Sequence, residues 1–69
     1  MADRLRVRDV PGRLNCFQTE DGYVLFDCAW RHARVAVMRP GGALPFAWLM
    51  SADEAAQAIA ADRAARAVR

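Results

Sequence analysis

Apolar and polar side chains alternate over residues 23–30. Val24, Phe26, Cys28 and Trp30 fall on one side of an extended chain, and Tyr23, Leu25, Asp27 and Ala29 on the other. This is the period-two pattern of a half-buried strand, populated by the β-branched and aromatic residues that suit one. Shorter stretches repeat it. Leu5 and Val7 alternate with Arg4, Arg6 and Arg8, and Leu14 and Cys16 alternate with Asn15 and Phe17. Val35 and Val37 alternate with Arg34, Ala36 and Met38, and Leu44, Phe46, Trp48 and Met50 alternate up to Ser51.

Turn residues separate these runs. Val10-Pro11-Gly12 closes the first, and Glu20-Asp21-Gly22 lies between the second and the third. Directly opposed residues of an antiparallel pair share a face. A three-residue Glu20–Gly22 loop sets Cys16 opposite Phe26 and Leu14 opposite Cys28, with Gly22 in the left-handed position of a G1 bulge. A loop centred on Arg31-His32 pairs Cys28 with Val35 and Phe26 with Val37. Arg39-Pro40-Gly41-Gly42 suits a turn with proline second and glycine third. Folding back there pairs Val37 with Leu44 and Val35 with Phe46. Pro45 has no N–H to donate, which places the last strand at an edge or breaks it.

From Ser51 the period changes. Ser51-Ala52-Asp53-Glu54 is a capping box, and the rest is alanine-rich without glycine or proline. Acidic residues lie in its first turn and arginines late, as the helix dipole favours. Asp62 and Arg66 are spaced as an i,i+4 pair. Ala52, Ala56, Ile59, Ala60, Ala64 and Ala67 make a small-residue face. The pattern predicts an α+β fold in one small domain over residues 1–69. A four- to five-stranded antiparallel meander lies within residues 3–50, and one C-terminal helix over 51–69 packs on the sheet. A small, partly closed barrel capped by the helix is the alternative.

Composition narrows the function. The chain has 69 residues, too few for a large core of its own. All ten basic residues are arginines and eight acids offset them, leaving a net charge of +2. Residues 1–8 lack a signal-peptide core, and no apolar run approaches the roughly 20 residues that span a bilayer. A cytoplasmic protein is expected, with no membrane partner.

Catalytic and metal chemistry find little to work with. Cys16 and Cys28 become diagonal neighbours about 7–8 Å apart in the register above, beyond disulfide reach. With His32 they offer three separated metal donors and no CxxC pair. His32 lies past the strand end from Cys28, and Ser51 is occupied as a cap. No cofactor, metal or enzymatic activity is expected. By the same parity, Phe17, Tyr23, Leu25, Met38 and Leu49 fall on the outer sheet face beside Arg34. An apolar patch rimmed by polar groups marks an interaction surface. The expected function is that of a non-enzymatic protein-interaction module, of the kind that phage or mobile-element inhibitors and accessory subunits represent. It would mask a larger partner through these six residues or pair as a homodimer. The alternative is nucleic-acid binding, with Arg4, Arg6, Arg8 and Arg34 on phosphates and Phe17 and Tyr23 stacking on bases.

Overall fold

A computed structural model describes residues 5–67. Five strands run in chain order across one antiparallel sheet: β1 (Val7–Asp9), β2 (Cys16–Thr19), β3 (Val24–Trp30), β4 (Ala33–Met38) and β5 (Ala47–Leu49). Helix α1 (Ala52–Ala67) follows and packs against β4 and β5. This is the α+β meander with a C-terminal helix that the hydrophobic pattern predicts.

The turn chemistry works as the sequence suggests. Cys16 opposes Phe26 across the β2–β3 hairpin, and Gly22 has φ of 99°, with its N–H donating to the Thr19 carbonyl at 3.1 Å. A Cβ at Gly22 would sit 3.1 Å from the Pro40 Cβ, so the position needs glycine for space as well as for its dihedral. Gly41 has φ of 72° after Pro40, and the Gly42 N–H donates to the Arg39 carbonyl at 2.8 Å. The α1 cap forms too. The Glu54 N–H donates to Ser51 Oγ at 3.2 Å, while the Glu54 carboxylate accepts from the Met50 N–H at 3.2 Å instead of from Ser51 N–H.

Two register changes turn the expected faces over. Trp30 opposes Ala33 around the Arg31-His32 turn, as expected, but a bulge between Asp27 and Trp30 then shifts the pairing by one residue. Asp27 therefore opposes Val35, Leu25 opposes Val37 and Phe26 opposes Ala36. A one-residue slip moves every side chain of a strand to the other face relative to its partner. The β4–β5 connection is longer than a tight turn, and Val37 opposes Ala47 with Val35 opposite Leu49. That is an odd shift of three from the expected pairing with Leu44, so β5 inverts as well. β5 is an edge strand and Pro45 lies just before it, where no ladder donor is required.

The core therefore forms under α1 from Tyr23, Leu25, Val35, Val37, Ala55 and Ile59, with Leu5, Phe46, Ala47 and Leu49 packed around it. Val24 and Phe26, expected in the core, lie half-buried on the opposite face, and Leu14 is 93% exposed. On α1 the buried residues are Ala55, Ile59 and Asp62, a stripe rotated from the expected alanine face. Ile59 is fully buried, so Ile59→Ala is expected to lower unfolding free energy by about 2–4 kcal/mol through lost burial and the cavity left behind. Leu14→Ala is expected to change it by less than about 0.5 kcal/mol. Urea midpoints at unchanged slope measure both.

Candidate functional site

The sheet has two unlike faces. Opposed residues trace rows across it, and the rows assign each side chain to a side. Asp9, Phe17, Leu25, Val37 and Ala47 form one row on the helix side, and Asp27, Val35 and Leu49 form another. On the other side, Cys16, Phe26, Ala36 and Trp48 form a row, and Arg8, Gln18, Val24 and Met38 form the next.

On the helix side, charged groups hold the cover in place. The Tyr23 hydroxyl donates to Asp62 Oδ2 at 2.6 Å, and Arg39 Nε donates to Asp62 Oδ1 at 2.9 Å. The Arg39 guanidinium also lies 4.4 Å from the centre of the Phe46 ring. Nearby, Arg63 makes a forked pair with Asp21, Nε to Oδ2 at 2.8 Å and Nη2 to Oδ1 at 2.7 Å, and Thr19 Oγ1 donates to Asp21 at 2.7 Å. Arg39 beside Asp62 holds its carboxyl below the ordinary value of 3.8, with the Tyr23 hydroxyl adding to the effect. Arg63, then Thr19, hold Asp21 well below the carboxylate range. Burial, then the Asp62 carboxylate, push the Tyr23 hydroxyl up.

A cleft of about 440 Å³ opens beside this cluster, lined by Arg39, Pro40, Asp62, Ala65 and Arg66. Its carboxylate already accepts from Tyr23 and Arg39, so the arrangement reads as a structural clasp. Among the described residues, no three His, Cys, Asp or Glu side chains converge as a metal site. Cys16 is buried, and Cys28 donates to the Ala33 carbonyl at 3.5 Å beside the bulge. Both are thiols in the structure.

The opposite face has no element packed over it among the described residues. Val24, Phe26 and Met38 are half-buried there, and Ala36 lies flush between Phe26 and Trp48. Large rings stand at one end. Trp48 belongs to the open row, and Trp30, opposite Ala33 at the end of β3, reaches it edge to face at 5.7 Å; the two are 50% and 53% exposed. His32 packs on Trp30 in the same way at 5.0 Å, and Met50, two residues beyond Trp48, is half-exposed. Arg8 and Arg34 share this face by register and alternation, and both are exposed.

The six residues expected at a partner surface are therefore divided. Tyr23 and Leu25 are 1% and 7% exposed beneath α1, and Leu49 packs against the same core. Phe17 is half-buried on that side too. The bulge and the β5 shift put these four on the covered face, which corrects their placement on the outer one. Met38 and Arg34 remain on the open face. Of the arginines expected at phosphates, Arg6 just before β1 and Arg8 within it are exposed, and Arg4 lies outside the described residues. Parity alone places Trp30 and Trp48 in the core; the β4–β5 shift turns Trp48 outward, and Trp30, still opposite Ala33 at the end of β3, is half-exposed against it. Spacing pairs Asp62 with Arg66, whereas the folded chain buries it against Tyr23 and Arg39. Asp62 is the only acid after Glu54, and that isolation in an alanine-rich run was the available signal.

No family model, curated protein or solved structure matches the chain.

The carboxylate shifts set a pH dependence. Asp21 and Asp62 titrate lower in the folded protein than in the unfolded chain, so the unfolded chain binds more protons in acid. The stability they contribute is present above the ordinary value of 3.8 and falls away as pH drops toward their folded values. Asp62→Asn is expected to destabilise the protein at neutral pH and to flatten this acid limb. Urea titrations from about pH 7 to about pH 3 check it, and an unchanged limb would show that the clasp contributes nothing.

Proposed function

We propose that this protein is a non-enzymatic interaction module that docks a larger protein through the open face of its sheet, as a small inhibitor or accessory subunit does when it masks a site. The observation that carries this reading is the asymmetry of cover. α1 shields one face, while the other keeps Trp30 and Trp48 half-exposed at the end of an apolar surface. Tryptophan in a contiguous apolar patch is the side chain that contributes most when a partner excludes water from it. An exposed patch of this kind on so small a domain favours burial against another molecule.

The described titratable groups support a structural use. Asp21, Asp62, Arg39 and Arg63 pair with one another between sheet and helix, and Glu54 caps α1. Among the described residues, no buried side-chain nitrogen or oxygen lacks a hydrogen-bond partner.

Replacing Trp30 and Trp48 together with Ser is expected to abolish capture of the native partner while leaving the far-ultraviolet circular dichroism unchanged. Leu14→Ser, at an exposed site before β2, is the control and is expected to retain capture. Equal capture by all three proteins would show that the open face is not the working surface.

A further inference from the structure

We infer that the surface which docks on the open face is acidic as well as apolar: a protein segment whose hydrophobic side chains cover Trp30, Trp48 and Met50 and whose carboxylates reach Arg8 and Arg34. The inference rests on the interaction-module reading and adds the chemistry of the partner.

Charge is segregated between the two faces to a degree that a net +2 conceals. The strand residues of the open face include Arg8 and Arg34 and no carboxylate. The strand carboxylates, Asp9 and Asp27, belong to rows on the helix side. Asp21 and Asp62 are held by Arg63 and Arg39, and Asp53 and Glu54 lie in the first turn of α1. At the β1 edge Arg6, Val7, Arg8, Gln18 and the turn residue Glu20 line a cleft of about 320 Å³. Among the described residues, the ion pairs are Arg39–Asp62 and Arg63–Asp21, so Arg6, Arg8, Arg31 and Arg34 have no acidic partner there. An apolar surface bordered by unpaired arginines complements one bordered by carboxylates, and long-range attraction speeds their encounter.

The same charge pattern disfavours a second copy on this face, because a two-fold axis would bring both arginine sets into one interface. Ring geometry disfavours nucleic acid. Bases stack on free ring faces. Here His32, Trp30 and Trp48 pack edge to face in series, and the row from Arg8 continues through Gln18, Val24 and Met38 without an aromatic ring.

Both tryptophans of the chain lie at this patch, so intrinsic fluorescence reports on it directly. The full chain is titrated with three probes: a peptide alternating Glu with Leu and Phe, its counterpart with Lys for Glu, and oligothymidylate. The expected result is that the Glu peptide alone shifts tryptophan emission. Its binding should weaken as salt is raised and fall by about tenfold in the Arg8→Glu/Arg34→Glu variant. Arg8→Gln/Arg34→Gln should fall between, with circular dichroism confirming that both variants fold. If the Lys peptide binds as well, or if charge reversal leaves affinity unchanged, the acidic-partner inference is overturned while docking on the tryptophan face stands. Binding of oligothymidylate alone would overturn both. If no probe shifts the emission the inference is also overturned, and a dimer that the double tryptophan substitution dissociates would then identify a second copy as the occupant.

Discussion

The position of α1 depends on one carboxylate. The helix brings only Ala55 and Ile59 into the core as buried apolar residues, and an alanine-rich surface has little else to offer a sheet. Asp62 supplies the direction that hydrophobic contact lacks. It accepts from a tyrosine on the sheet and from an arginine leaving β4, so it fixes both the rotation of the helix and its placement along the strands. Hydrophobic burial is roughly proportional to area and indifferent to angle, whereas a carboxylate satisfied by two donors is not. Every polar side-chain atom buried among the described residues has a partner, which is the condition for such a cluster to stabilise the fold.

That clasp also determines which sheet face remains open. With α1 over Tyr23, Leu25 and Val37, the row through Phe26, Ala36 and Trp48 has no cover of its own. The β3 bulge selects the residues concerned. By adding one residue between Asp27 and Trp30 it places Leu25 beneath the helix and Phe26 outside, while the β4–β5 shift turns Trp48 outward, where Trp30 packs against it. The surface read as a docking site is in this sense a product of the helix clasp and the bulge together.

Charge follows the same division. The acids nearest the helix are used to hold it, and the arginines of the open face are left without them. A small domain with nearly balanced overall charge can thus present a basic face to a partner while keeping the net charge low.

A meander of four to five strands, the Gly22 and Pro40-Gly41 turns and the Ser51 cap were legible in the sequence because each depends on local chemistry: period-two alternation, positive φ at glycine, a short polar side chain before a helix. The β2–β3 register was legible for the same reason, since one loop length alone kept apolar residues opposite one another. The faces were not. Alternation says which residues of a strand share a side but not which side the helix will cover, and no local signal marks an extra residue near Cys28. Parity carried across the β3–β4 hairpin without the bulge sends Phe26 inward and Tyr23 and Leu25 outward, and parity carried across the Pro40-Gly41 turn sends Trp48 inward. Only the tertiary structure could reverse that assignment, because the choice depends on contacts distant in sequence. Asp62 meets Tyr23 across 39 residues of chain and Arg39 across 23, and Ile59 joins Val37 in one core cluster.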